Sequence, residues 1–292
     1  TLRRFGCTPC MPYIAPCRSQ FRPYNRAYAY RGLIASAFSL PWRSAKDVET
    51  EDENGPKGMF PFYLPGMEGQ LGEFPLCSNT IILPKEDANI QAEPEVGLIC
   101  DLSYEDGKVS AVKPTYFAAY NDCSIRKTGA KKISEKKNWG ASSKGMSKQL
   151  IAIDRFEEGG VMDHWHIASF LRREGDVIRY GEDVELTGYS YFYGKLCNWM
   201  KNQINTQQDQ GPLEPLLEYI ETCNYPEQAV ISIGATRYTP FGETHFLKEG
   251  DEVVIALYDS EIHSKDTVMT DVEAEDYGKS GVSYLIKRVV RG

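Results

Sequence analysis

Seven short runs of apolar and β-branched residues, each bounded by turn-forming residues, constrain this chain more than any other feature. They cover 80–83, 96–102, 109–120, 177–180, 229–233, 252–258 and 282–290. β-Branched and aromatic side chains suit a pleated, half-buried surface, and the Asp-Gly, Glu-Gly and Pro signals between the runs end each strand. Helical periodicity is scarcer. It predicts helices over 147–158, stopped by Gly159-Gly160, and over 189–203 and 213–223, separated by Gly211-Pro212. Residues 59–77 are aromatic and rich in Pro and Gly, which reads as a packed loop. Strands and helices do not alternate as a doubly wound sheet requires, and no internal repeat is present. The expected class is α+β, mostly β.

At 292 residues the chain is long enough for one large domain or two ordinary ones. Charge divides it unevenly. Residues 1–46 carry seven Arg and Lys46 but no acid, whereas 47–292 carry 25 basic and 41 acidic residues, within a net charge of −8. The basic segment, with Cys7, Cys10 and Cys17, reads as an organelle leader, a disordered or mis-framed stretch, or a zinc knuckle short of its fourth ligand. It is set apart from a single expected domain over 47–292, which has an insertion at about 160–228. A net acidic body argues against a nucleic-acid partner, and no apolar run approaches the ~18 residues of a membrane helix. The scattered Cys77, Cys100, Cys123, Cys197 and Cys223 suggest reduced thiols and a cytoplasmic protein, or an organellar one if 1–46 is a leader.

The catalytic inventory excludes much. The sequence has no Gly-x-Gly-x-x-Gly, phosphate-binding P-loop, Gly-x-Ser-x-Gly or His-Glu-x-x-His, and only four His: His164, His166, His245 and His263. The informative stretch is Glu93-Pro94-Glu95, leading into the run 96–102. Residues i and i+2 of an extended chain share a face, and Pro94 places them at a strand start or sheet edge. Two adjacent carboxylates repel unless a cation lies between them. Asp122 ends the next long run. If the strands pair, three oxygen donors converge, a set suited to Mg²⁺ or Mn²⁺. Spacing alone favours two solvated edge glutamates and a turn aspartate over a metal site.

These residues resemble the metal motif of the fumarylacetoacetate hydrolase family, a Glu-x-Glu followed about thirty residues later by Asn-Asp-x-Ser-x-Arg. The matches are Glu93 and Glu95, then Asn121, Asp122, Ser124 and Arg126. A family Lys-Gly pair is matched by Lys144-Gly145, a Gly-Thr-Pro-type turn by Gly234-Ala235-Thr236, and a Leu-x-x-Gly-Asp stretch by Leu247–Asp251. The run PKGMFPFYLPG and the Glu-Pro-Glu variant look like an uncharacterised branch. The resemblance implies a mixed β-roll of the family's C-terminal domain type, a homodimer, and a divalent metal held by Glu93, Glu95 and Asp122. It further implies a hydrolase or lyase acting on a small 2-oxo or 1,3-dicarbonyl carboxylic acid through a metal-stabilised enolate, by C–C hydrolysis, decarboxylation or isomerisation. Lys144 would pair with substrate carboxylate or enolate, Thr236 would bind a carboxylate, and Arg126 would bind substrate or brace an acid.

The family's N-terminal acid/base His has no counterpart, since no His precedes His164. His166, or His164, is the expected replacement, the two being taken to share a strand face. That gap also supports an alternative, a non-catalytic member of the fold that binds a metabolite or partner. The basic stretch 126–148, seven Lys and Arg126 against Glu135, reads as a substrate-drawing lid or a solvated loop.

Overall fold

The computed structural model of the chain describes residues 33–38, 55–86, 88–126 and 131–292. The expectations for Cys7, Cys10 and Cys17 lie outside the described residues. In chain order the strands are β1 (Leu33–Phe38), β2 (Gly58–Tyr63), β3 (Thr80–Leu83), β4 (Ile90–Gln91), β5 (Pro94–Glu105), β6 (Lys108–Asp122), β7 (Ser124–Ile125), β8 (Lys144–Met146), β9 (Ile151–Ala152), β10 (Trp165–Arg173), β11 (Asp176–Glu185), β12 (Gln228–Ile233), β13 (Glu252–Asp259) and β14 (Val282–Arg291). Helices are α1 (Ser134–Lys137), α2 (Tyr193–Thr206), α3 (Leu216–Thr222), α4 (Pro240–Thr244) and α5 (Lys265–Glu273). The class is α+β, mostly β, as the apolar runs imply.

One sheet runs β2-β1-β12-β5-β6-β8, with β9 also on β6, and a second runs β11-β10-β13-β14-β3. Parallel pairs occur at β1–β12 and β14–β3 among otherwise antiparallel ones, so both sheets are mixed. The basic N-terminal segment thus supplies a strand to the main sheet. The 160–228 stretch supplies β10 and β11 to the second sheet, followed by α2 and α3.

Strand alternation builds the core between the sheets. On β6, Phe117 and Ala119 face the main apolar cluster, while Ala118 and Tyr120 face a second cluster with Phe62 and Met146. Across the sheets Phe117 meets Trp165 edge to face, ring centroids 4.8 Å apart.

The β5–β6 hairpin sets the geometry of everything that follows. Its two-residue turn, Asp106-Gly107, has φ of 49° and 74°, the twist that the strands need and that Gly adopts freely. From that turn the pairing runs, through two register shifts, to Glu95 opposite Tyr120 and Pro94 opposite Asn121. The Asp122 amide then donates to the Glu93 carbonyl at 2.9 Å.

Three expectations fail locally. The stretch 147–158 is not helical: Ile151–Ala152 pairs with Tyr116 and Phe117, and the Ile153 amide donates to Thr115. The edge of β6 at Tyr116 and Phe117 offers these residues better backbone partners than an isolated helical turn. Residues 58–63 are strand rather than loop, because β1 presents an edge for them. His164 and His166 do not share a strand face, since His164 ends the 3₁₀ turn Val161–His164 and only His166 lies on β10. The five cysteines named above are all free. No helix among the described residues is long and apolar enough to cross a membrane.

Candidate metal centre

The turn-directed register places Glu93, Glu95 and Asp122 together. One carboxylate oxygen from each lies within 4.8 Å of the others, and all three residues are buried. Pro94 opens β5, so its missing amide costs no ladder bond. The acids therefore sit at the buried end of a hairpin and not on a solvated edge.

Burial of like charges at this spacing has to be compensated. Lys137 Nζ lies 2.6 Å from Glu93 Oε2 and 2.6 Å from Asp122 Oδ2. Lys144 Nζ lies 2.8 Å from Asp122 Oδ1, and Arg126 lies 3.3 Å from Glu93 Oε1. Burial works to lower the Lys137 pKa, but the Asp122 and Glu93 carboxylates outweigh it and the net shift is upward. For Lys144 burial prevails over Asp122, and its pKa falls. Glu95 is the member left over: Oε2 is buried without a hydrogen-bond partner, and burial, with Asp122 adding to it, pushes its pKa to about 8. A carboxyl oxygen without a hydrogen-bond donor, whose ionisation is opposed by burial and by two neighbouring carboxylates, suits a divalent cation with oxygen preference. The donor set fits Mg²⁺ or Mn²⁺.

The supports come from several elements. Lys144 opens β8 opposite Asp122, fully buried, with its Nζ 4.6 Å above the Phe62 ring and donating to the Lys137 carbonyl. Lys287 on β14 donates to the Ser142 and Lys144 carbonyls at 2.8 and 2.7 Å and so pins that strand. Gly145 lets this happen. A Cβ there would come 2.7 Å from Lys287 Cδ and 2.8 Å from the Cys77 carbonyl. Gly145→Ala is expected to cost about 1–3 kcal/mol through overpacking, read as a lower urea midpoint; an unchanged midpoint would contradict this account of the Lys-Gly pair.

Arg126, a third exposed, donates from Nε to Gln91 Oε1 at 2.8 Å and braces Glu93. Thr236 is tied to the acidic strand by its amide, which donates to the Pro94 carbonyl at 3.3 Å. Its buried hydroxyl has no hydrogen-bond partner. A Cβ at Gly181 would lie 2.6 Å from both that hydroxyl and the similarly unpartnered Ser169 Oγ. His166 stands elsewhere. Its Nδ1 is 3.0 Å from Asp183 Oδ1, and Tyr258 also donates to Asp183 at 2.9 Å. Among the described residues no ion pair or hydrogen bond joins His166 to the three acids. His164 faces solvent beside Glu261, 3.6 Å away.

Lys137 and Ser169 escaped the sequence reading. Lys137 is one of seven lysines between 126 and 148 and follows Lys136 directly. Only the docking of α1 separates them, and the sequence carries no mark of it.

Comparison with known proteins agrees with this fold. No curated protein matches the chain. Among solved structures it is similar to an uncharacterized protein from Mycobacterium abscessus ATCC 19977 / DSM 44196, at 13% identity and TM-score 0.53, over 89% of this chain and 79% of that one. A 5-carboxymethyl-2-hydroxymuconate delta-isomerase from Mycobacterium smegmatis gives 15% identity and TM-score 0.51 over 89% and 79%. A 2-keto-3-deoxyarabinonate dehydratase gives 15% and 0.50 over 89% and 73%. At such identities the likeness is one of fold, and the isomerase and the dehydratase are members of the fumarylacetoacetate hydrolase superfamily. The fold of this chain is similar to their C-terminal-domain fold. A family model, "Family of unknown function (DUF5718)", matches residues 43–289, and the chain belongs to that family.

Proposed function

We propose that this family is a branch of the fumarylacetoacetate hydrolase superfamily, and that the chain is a divalent-cation-dependent enzyme acting on a small 2-oxo or 1,3-dicarbonyl carboxylic acid. The reaction class is C–C hydrolysis, decarboxylation or isomerisation. The observation that carries this reading is the buried Glu93–Glu95–Asp122 group, with Glu95 Oε2 lacking any proton donor. Those three residues would hold Mg²⁺ or Mn²⁺, which when bound polarises substrate oxygens and favours an enolate.

The chain's own groups supply the rest. With every group ionised, the three acids and the cations Lys137, Lys144 and Arg126 cancel in formal charge, so a divalent ion brings an excess of positive charge that an anionic substrate would match. Lys144, whose pKa burial lowers, would hold the substrate carboxylate or the developing enolate. The Thr236 hydroxyl would donate to a carboxylate, and Arg126 would keep Glu93 in place. The superfamily neighbours named above as an isomerase and a dehydratase support a small-molecule reaction, but fold does not fix which one.

Metal analysis of the purified protein, with turnover of a panel of small acylpyruvates and oxaloacetate with and without Mg²⁺, tests the proposal. We expect about one divalent ion per chain and Mg²⁺-dependent turnover of at least one member. Metal bound without any turnover would favour a non-catalytic, metabolite-binding member, a reading that the charge-balanced side chains also support. His166→Ala tests the remaining acid/base expectation: a kcat/KM profile against pH that matches the parent's would exclude it. Light scattering on the same sample tests the homodimer.

A further inference from the structure

Every oxygen of Glu93 and Asp122 already faces a cationic side chain. Glu93 Oε1 faces Arg126, Asp122 Oδ1 faces Lys144, and the remaining oxygen of each faces Lys137. A divalent ion held by these carboxylates would stand beside like charges in a buried site, and that repulsion favours the departure of one ammonium or guanidinium. The three are not equally anchored. Lys144 is fully buried on β8, its Nζ donating to the Lys137 carbonyl and its backbone carbonyl pinned by Lys287. Arg126 is braced by Gln91 and lies 3.5 Å from the Tyr238 hydroxyl. Lys137 ends a single helical turn, α1, and alone bridges both carboxylates.

Contacts outside the site fasten that turn. Ser134 Oγ donates to the buried Glu214 carboxylate at 2.9 Å. Lys132, just before α1, pairs with Asp209 and donates to the Leu213 carbonyl at 2.6 Å. The turn carrying Lys137 is therefore latched to the segment between α2 and α3, at atoms that do not touch the acids.

We propose that Lys137 is a built-in competitor for the divalent cation: its ammonium neutralises Glu93 and Asp122 in the metal-free protein and is expelled when the ion enters. The latch from Ser134 to Glu214 biases this exchange toward the lysine. The proposal rests on the metal-site reading above. Because the two cations exclude each other, whatever weakens the lysine contact strengthens metal binding by the same factor.

Calorimetric titration of the chelator-treated full chain with Mn²⁺ tests this in the parent, Lys137→Met and Ser134→Ala. Lys137→Met is expected to bind Mn²⁺ about tenfold or more tightly, and Ser134→Ala, which leaves every charge in place, about two- to threefold more tightly. The Mn²⁺-induced rise in Tm should be larger in Lys137→Met than in the parent. Equal or weaker binding by Lys137→Met would overturn the competition while leaving the metal site standing. Absence of Mn²⁺ binding in all three proteins would remove the metal reading and this proposal together. If Lys137→Met does not fold, the Ser134→Ala titration decides alone, and an affinity no tighter than the parent's counts against the competitor.

Discussion

Asp122→Asn is expected to lower the stability of the metal-free protein by about 3–5 kcal/mol and to weaken Mn²⁺ binding by more than about 100-fold. Asp122 is the one acid that two ammoniums share, Lys137 at 2.6 Å and Lys144 at 2.8 Å, and both lysines are buried. An amide of the same shape keeps the packing but removes the charge that makes those burials tolerable. Lys144 suffers most, because burial already lowers its pKa and Asp122 is the chief opposing influence. Its ammonium would be left with the Phe62 ring and with carbonyl acceptors at Lys137 and Cys123. Truncating one partner of a buried pair costs more than the pair is worth, because the other charge stays buried. Urea unfolding in the presence of chelator reads the first effect and Mn²⁺ titration the second. A midpoint unchanged from the parent would mean that Lys137 and Lys144 do not depend on Asp122 and that the charge network described here is wrong.

The site was legible in the sequence to the extent that strand periodicity carries it. The runs 96–102 and 109–120, joined through an Asp-Gly turn, suffice to bring the start of one strand to the end of the next, and Glu93, Glu95 and Asp122 lie at those positions. What periodicity cannot supply is the fate of side chains arriving from irregular backbone. Lys137 reaches the acids from a four-residue turn whose position depends on Glu214, about eighty residues later. The same limit explains 147–158, where apolar spacing suggested a helix. There the Ser147 hydroxyl donates to the Tyr284 carbonyl, and the Gln149 carboxamide accepts from the Tyr284 amide, so β14 dictates the local path. His164 and His166 failed as a pair for a related reason. Alternation holds only within a strand, and β10 begins at Trp165, between them.

The same acid-to-amide change at Glu95 should have the opposite effect on stability. Burial, with Asp122 beside it, raises the Glu95 pKa from an ordinary 4.5 to about 8, so the folded protein keeps a proton that the unfolded chain has already released. A carboxyl with a raised folded pKa favours the native state least at high pH: stability falls as pH rises from about 4.5 to about 8, by up to ~1.4 kcal/mol per unit. Glutamine resembles the protonated form at every pH and escapes this loss. Metal-free Glu95→Gln should therefore match the parent near pH 4.5 and exceed it by a few kcal/mol at pH 8, measured by urea unfolding with chelator present. Saturating Mn²⁺ should reverse the order at pH 8. The parent gains stability in proportion to the logarithm of metal concentration over Kd, while the variant has lost a carboxylate oxygen that no hydrogen bond satisfies. A variant no more stable than the parent at pH 8 without metal would show that Glu95 is not held above its ordinary range. A variant that Mn²⁺ stabilised as much as the parent would show that Glu95 is not a ligand. The two results separate the cost of assembling three buried acids from the cation binding that such an arrangement makes possible.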